Sequence, residues 1–137
     1  MEITYKVVKE ADAAAILGLY RAAGWWQMDE NPAYLETVKG IIANSFAFVI
    51  ALKGKEIIGM GRAISDGVSD AYIQDVTVLE RYRGQGIGKA LIRKLIGYLQ
   101  ERKIQWIGLI SEPGYQGFYR SLGFGEMKDY TPFLLEL

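Results

Sequence analysis

The hydrophobic residues of this chain change period several times, and each change marks an element. Ile3 to Val8 is β-branched and partly alternating, the pattern of a half-buried strand. From Asp12 the spacing becomes helical. Ile16, Leu19, Tyr20 and Ala23 fall on one face, Asp12 or Glu10 offers an N-cap, and Gly24 stands where a glycine ends a helix. Asn31-Pro32 opens a second helix, with Asn as cap and Pro at the first position; Tyr34, Leu35, Val38, Ile41 and Ile42 form its apolar face. Phe46 to Leu52 is a continuous apolar run of strand length, which fits burial on both faces. Lys53-Gly54-Lys55-Glu56 reads as a hairpin turn into a returning strand, Ile57 to Ile64. Gly59 and Gly61 share parity in that strand and leave one face bare, either for close packing or as a floor beneath a ligand.

A polar loop, Ser65 to Asp70, leads to a further strand, Ala71 to Val78, and to a turn, Leu79 to Tyr82. Arg83-Gly84-Gln85-Gly86-Ile87-Gly88 follows, and then a helix with apolar positions Leu91, Ile92, Leu95, Ile96 and Leu99. Gln105 to Ile110 is a short apolar strand, broken by Glu112-Pro113-Gly114. Tyr115 to Leu122 predicts a short helix ending at Gly123. Phe124 to Lys128 and Thr131 to Glu136 predict a terminal strand pair turning at Asp129-Tyr130. No internal repeat or low-complexity tract interrupts the pattern. The elements predict one α/β domain over residues 1–137, built on a mixed, mostly antiparallel sheet with about four helices. The strand–helix–strand unit from Ala71 to Ile110 is expected to be a right-handed parallel crossover.

Composition narrows the chemistry. With 137 residues, half of them hydrophobic, the chain can bury a full core. Formal net charge is zero with no long basic block, so nothing favours nucleic acid as a partner. There are no cysteines and no histidines, which removes thiol nucleophiles, the commonest general base and the commonest metal ligands. No metal is expected, and acid–base chemistry must use carboxylates, Tyr, Lys or water. The N-terminal residues lack a signal peptide's apolar core and no apolar run approaches spanning length, so a cytoplasmic protein with no membrane contact is expected.

The stretch from Ala71 to Leu99 carries the functional signal. A strand, a glycine-rich turn and a helix N-terminus together make a site for an anion, because glycines allow close backbone approach and the first helical N–H groups lack partners. A phosphate or pyrophosphate is the expected guest. A P-loop does not fit: Ala90 follows Gly88-Lys89, and Arg83 occupies the place of the first glycine. A dinucleotide fingerprint does not fit either, because Lys89 stands where its third glycine belongs. Arg83, Gly86 and Gly88 do fit [Gln/Arg]-x-x-Gly-x-[Gly/Ala], and Tyr119-Arg120-Ser121-Leu122-Gly123-Phe124 supplies a second motif downstream. The two motifs, in this order, resemble the acyl-CoA-binding and Tyr-x-x-Leu-Gly-Phe signatures of the GNAT superfamily of N-acetyltransferases. The order of elements is similar along nearly the whole chain.

The resemblance implies a GNAT-like sheet whose two central strands splay apart, with the thioester arm of acetyl-CoA in the gap. It implies that the N–H groups of Arg83, Gly84, Gln85, Gly86, Ile87 and Gly88 hold the pyrophosphate, with Lys89 or Arg83 adding charge. It also implies that Val76, Thr77 and Val78 pair with the pantetheine amides as another strand would. The Val76 backbone N–H is then the donor to the thioester carbonyl, and Tyr119 is placed to protonate the departing sulfur. The reaction implied is acetyl transfer to a primary amine by direct attack in a ternary complex. The acceptor is a small-molecule amine or a peptide amine, and homodimers are common in the family. A domain that binds acyl-CoA as a sensor, without transfer, would carry the same anion site.

The base is less plain. By alternation, Gln74 and Tyr72 share Val76's face, where some relatives carry a carboxylate or a histidine, and neither is an obvious base. Asp75 faces the other way unless a bulge re-aims it, and is either a structural acceptor or a base. A water relay through Gln74 is also open. Glu112 stands where many relatives have an Asn that contacts the pantetheine arm. For the acceptor, Tyr20, Trp25, Trp26, Tyr34 and Tyr72 could form an aromatic wall, with Asp29 and the neighbouring Glu30 suited to a cationic amine. The tryptophans could equally cap the core.

Overall fold

The computed structural model describes residues 2–26 and 29–137. Gln27 and Met28, part of the loop expected between the first two helices, lie outside the described residues. The elements run β1 (Ile3–Val7), α1 (Ala13–Ala22), α2 (Ala33–Asn44), β2 (Ala47–Lys53), β3 (Glu56–Ser65), β4 (Asp70–Val78), α3 (Ile87–Glu101), β5 (Trp106–Leu109) and α4 (Gln116–Arg120). A single 3-10 turn, Glu80–Tyr82, precedes α3. The expected α/β architecture is present, with a five-stranded sheet in sequential order; β1 to β4 pair antiparallel and β4–β5 pair parallel.

Local chemistry fixes the ends of these elements. Asp12 caps α1, its Oδ1 accepting from the N–H groups of Ala14 (3.0 Å) and Ala15 (3.3 Å). Such a cap contributes about 1 kcal/mol. Asn31 accepts from the Ala33 N–H at 2.9 Å, and α2 starts there, one residue later than the sequence predicts. The β2–β3 hairpin closes at Lys53 opposite Glu56.

Two hydrophobic layers sandwich the sheet, which is why β2 reads as continuously apolar. Phe48 and Ile50 face α1 and α2, meeting Ile16, Leu19, Val38, Ile42 and Met60. Ala47, Val49 and Ala51 face α3, meeting Leu91, Ile92, Leu95 and Leu99. The bare face of β3 is explained by packing. A Cβ at Gly61 would lie 3.1 Å from Leu95 Cδ1 and 3.2 Å from Val76 Cγ2, so α3 sits directly on the strand and no ligand floor exists there.

One sequence expectation fails. Residues 124–137 form no strand pair; they contain neither helix nor strand, and beyond Phe124, which packs partly buried against the α3-side core, their apolar side chains stand in solvent. A hairpin of two short strands needs a sheet edge to pack against, and in this chain the segment does not return to β5.

Candidate functional site

The site begins where β5 leaves β4. Their parallel pairing ends at Ile73 opposite Leu109, and β4 continues alone on that side from Gln74 to Val78. β5 is only four residues long before the Ser111–Gly114 segment turns the chain away. The splay opens a cleft of about 1040 Å³ between the free edge of β4, the N-terminus of α3, and α4.

One end of the cleft is built from the glycine turn. Gly84 (φ +77°) and Gly86 (φ +83°) take left-handed conformations that only glycine adopts without strain. Through them the backbone enters α3 with its first N–H groups facing outward. No acceptor among the described residues takes the N–H groups of residues 84 to 89. Gly84, Gly86, Ile87, Gly88 and Lys89 line the cleft, and Gln85 does not. Arg83 also lines it, but its Nε donates to the Val78 carbonyl at 3.0 Å, so the side chain locks the strand end.

The middle of the cleft depends on a bulge. Arg62 pairs with Gln74 and Met60 with Thr77, so β4 spends one residue more than β3 across this stretch, and Asp75 has φ +56°. Asp tolerates the left-handed region better than most residues. Strict alternation would put Asp75 beside Ile73 and facing α3. Instead Val76 takes that side, packed with Val78 and Leu95, and Asp75 joins Gln74 and Tyr72 on the α1 side. The expectation that Val76 shares a face with Gln74 and Tyr72 is therefore corrected, and the physical reason is the extra residue.

Asp75 then receives two hydrogen bonds on Oδ2, one from the Tyr20 hydroxyl and one from Arg62 Nε, both 2.7 Å. Oδ1 has no protein partner among the described residues, and the side chain lines the cleft. Arg62 also reaches Gln74 Oε1 and Ser45 Oγ at 3.5 Å. Burial pushes the Tyr20 hydroxyl well above the usual tyrosine range, and the Asp75 carboxylate raises it further. A raised folded-state value means the stabilisation is whole below about pH 10 and is lost as pH rises through the folded value. Tyr20→Phe is expected to cost about 1.5–3 kcal/mol at neutral pH, as for a hydrogen bond to a charged group. It should also flatten the alkaline fall in stability; chemical denaturation at pH values on both sides of 10 checks both.

Tyr119 lines the cleft opposite β4, half-buried and edge-on to Phe118 (5.1 Å) and Phe124 (5.9 Å). Burial pushes its hydroxyl above the ordinary tyrosine value, and the charges of Glu112 and Tyr115 add to the shift. Glu112 also lines the cleft, and its Oε1 accepts from Trp25 Nε1 at 2.8 Å. That bond joins the loop after α1 to the loop after β5 across the opening.

Of the residues expected to meet an acceptor, Trp25 and Tyr72 line the cleft. Tyr20, Trp26, Asp29 and Tyr34 do not. They form a cluster beside α1, with Tyr20 stacked on Trp26 at 4.4 Å, Trp26 against Tyr34 at 5.7 Å, and the Tyr34 hydroxyl donating to Asp29 Oδ1 at 2.9 Å. Tyr20 reaches the site through its bond to Asp75 and through an edge-on contact with Trp25 at 6.2 Å. Arg62 escapes the sequence reading, although a lone charge inside the apolar run Ile57 to Ile64 was a signal for it.

The acetyltransferase (GNAT) family pattern matches residues 12–124. A histone acetyltransferase from Glycine max is 51% identical over 70 residues, which is 51% of this chain and 30% of that protein. A serotonin N-acetyltransferase, chloroplastic, from Oryza sativa is 39% identical over 67 residues, 49% of this chain and 34% of that protein. The chain thus spans about a third of the length of these curated relatives. Among solved structures, a GNAT family acetyltransferase from Streptococcus pneumoniae superposes with TM-score 0.82 at 30% identity, over 99% of this chain and 98% of that one. No helix among the described residues is long and apolar enough to cross a membrane.

Proposed function

The chain belongs to the GNAT acetyltransferase family, and from that premise we propose that it transfers an acetyl group from acetyl-CoA to a primary amine, with a small molecule favoured as acceptor. The observation that carries this reading is the cleft between β4 and β5, with unpartnered N–H groups at one end and Tyr119 and Asp75 along its length. The donor set fits the cosubstrate. N–H groups at a helix N-terminus suit a pyrophosphate, and a strand edge without a neighbour suits the amides of a pantetheine arm. Acetyl-CoA supplies the activated acyl group; the chain supplies position and proton transfer.

Each residue has a role in that reading. The N–H groups of residues 84 to 89 hold the pyrophosphate, with Lys89 adding charge. Arg83 is tied to Val78, so its part is to fix the strand end rather than to reach for phosphate. Asp75 and Val76 have no register partner on β3, and the Val76 N–H donates to the thioester carbonyl. Asp75, with Oδ1 free and Arg62 balancing its charge, takes the amine's proton directly or through water, and Gln74 orients that water. The Tyr119 hydroxyl, held protonated beyond the ordinary tyrosine range, gives its proton to the leaving sulfur.

The Trp25–Glu112 bond narrows the acceptor end. A ring and two carboxylates, Asp75 and Glu112, line that end, which suits a cationic amine with an apolar body. The relatives named above point to both a histone and a small amine as acceptors elsewhere in the family. Relatives named as chloroplastic also leave the expectation of a cytoplasmic location without support. Competition between an arylalkylamine and a lysine-bearing histone-tail peptide, with products read by mass spectrometry, tests the acceptor class. Preferential acetylation of the small amine is expected, and exclusive acetylation of the peptide would refute that part of the reading.

A further inference from the structure

The α1 side of the sheet is covered where Phe48, Ile50 and Met60 meet the first two helices, and it is open further along, toward β5. Two aromatic side chains stand in that opening. Tyr72 is 47% exposed and Trp106 is 37% exposed, and neither belongs to the hydrophobic layer on either side of the sheet. Register brings them together. Tyr72 pairs with Gly108, and Trp106, two residues earlier on β5, shares that face, because Ile107 and Leu109 pack on the α3 side. The two ring centroids are 5.0 Å apart with planes at 59°, so the rings form a corner rather than a stack. Ile64, opposite Tyr72 on β3, is 42% exposed and extends the patch. Contiguous apolar surface of this kind marks a binding site, whereas scattered single residues do not.

A glycine shapes the corner. A Cβ at Gly108 would lie 2.5 Å from Cη2 and 2.6 Å from Cζ3 of Trp106. The indole is therefore folded down along β5, over a position that has no side chain, and it meets Tyr72 because nothing lifts it. The corner is also continuous with the cleft, which Tyr72 and Ile110 line. One of its two rings thus belongs to both. Asp75 lies on the same strand as Tyr72 and, through the bulge, on the same face. The two are ~7–10 Å apart, the span of two to three residues of strand.

We infer that the Tyr72–Trp106 corner holds the aromatic ring of the acceptor, one short aliphatic linker away from an amine seated at Asp75. A planar ring in such a corner meets one aromatic neighbour offset-stacked and the other edge-on, the two favoured arrangements, while an alkyl chain gains only buried area. A peptide suits the place less well. Tyr72 and Gly108 lie within the β4–β5 ladder, so their backbone groups are already paired and offer none to a crossing main chain. Trp106 and Gly108 are then the residues that set a preference for aryl amines. That the ring-bearing molecule is an acceptor rests on the transfer reading above; that it is held at this corner does not.

The probes are phenylpropylamine and propylamine, which differ by the ring alone. In nuclear magnetic resonance spectra of the full chain, the Trp106 indole N–H peak is assigned by its loss in Trp106→Ala. That peak should move saturably with phenylpropylamine and stay in place with propylamine. In thiol-release assays, the ratio of kcat/KM for phenylpropylamine to that for propylamine should fall ~10-fold in Trp106→Ala, the change lying in KM. Gly108→Ala should lower the ratio in the same direction while keeping the indole, because its Cβ displaces only the far end of that side chain and the chain still folds. A Trp106 peak that does not move with phenylpropylamine would overturn the proposal, and so would a ratio unchanged in Trp106→Ala. If the peak moves and neither amine releases thiol, the corner stands as a site for aryl amines and the transfer reading falls.

Discussion

Gly88→Trp should remove CoA binding and leave a folded protein. The structure selects this position over its neighbours. Gly84 and Gly86 have positive φ, so any side chain there strains the backbone as well as filling space. Gly88 lies in the first turn of α3 with no positive φ, and an added Cβ would meet Phe118 Cζ at 3.4 Å, an ordinary contact. The side chain would therefore grow into the cleft, between the unpartnered N–H groups and α4. A loss of roughly 100-fold or more in affinity, about 2.8 kcal/mol, is expected by calorimetry, with a circular dichroism spectrum like that of the parent. Unchanged affinity would place the pyrophosphate elsewhere.

Tyr119→Phe should lower kcat by about 10²–10⁴-fold, the usual range for a positioned acid, with little change in KM for acetyl-CoA. The hydroxyl makes no hydrogen bond to another described residue, so its removal should alter stability by no more than about 0.5 kcal/mol. The pH profile separates an acid from a packing residue. Because the hydroxyl is raised above its ordinary value, the parent enzyme keeps its acid through pH 10, and any fall due to Tyr119 lies above that. In the Phe variant that alkaline limb should vanish. Parent-like turnover in the variant would leave Tyr119 as one wall of the cleft and nothing more.

The glycine-turn end of the cleft is legible in the sequence because its parts are local. The glycines, the following amphipathic helix and the apolar strand before them lie in one stretch, and their φ values and free N–H groups follow from that order. Asp12 and Asn31 were readable as caps for the same reason. Asp75 was not. Its orientation depends on one extra residue in β4 against β3, and a strand's composition carries no record of its partner's register. The Trp25–Glu112 bond joins residues 87 positions apart, which no local pattern reveals. Trp26 and Tyr34 read as aromatic residues that either cap the core or wall an acceptor pocket, and the sequence leaves that open because nothing local says on which side of α1 they pack. The C-terminal segment shows the reverse case. Its strand pattern is plain in the sequence, yet residues 124–137 form neither helix nor strand, because a local pattern does not say whether a sheet edge lies within reach.

The central claim is acyl transfer, and it is tested most directly by thiol release from acetyl-CoA. The acceptors would be arylalkylamines, polyamines, amino acids and peptides, each from about pH 6 to about 9.5. Amine-dependent release is predicted, greatest with a cationic amine bearing an apolar body, and absent with Gly88→Trp. No release with any acceptor would contradict the account if acetyl-CoA still stabilises the fold by the ~2.7 kcal/mol expected at a hundred times its Kd. Such a result would describe a domain that binds the thioester without transferring it.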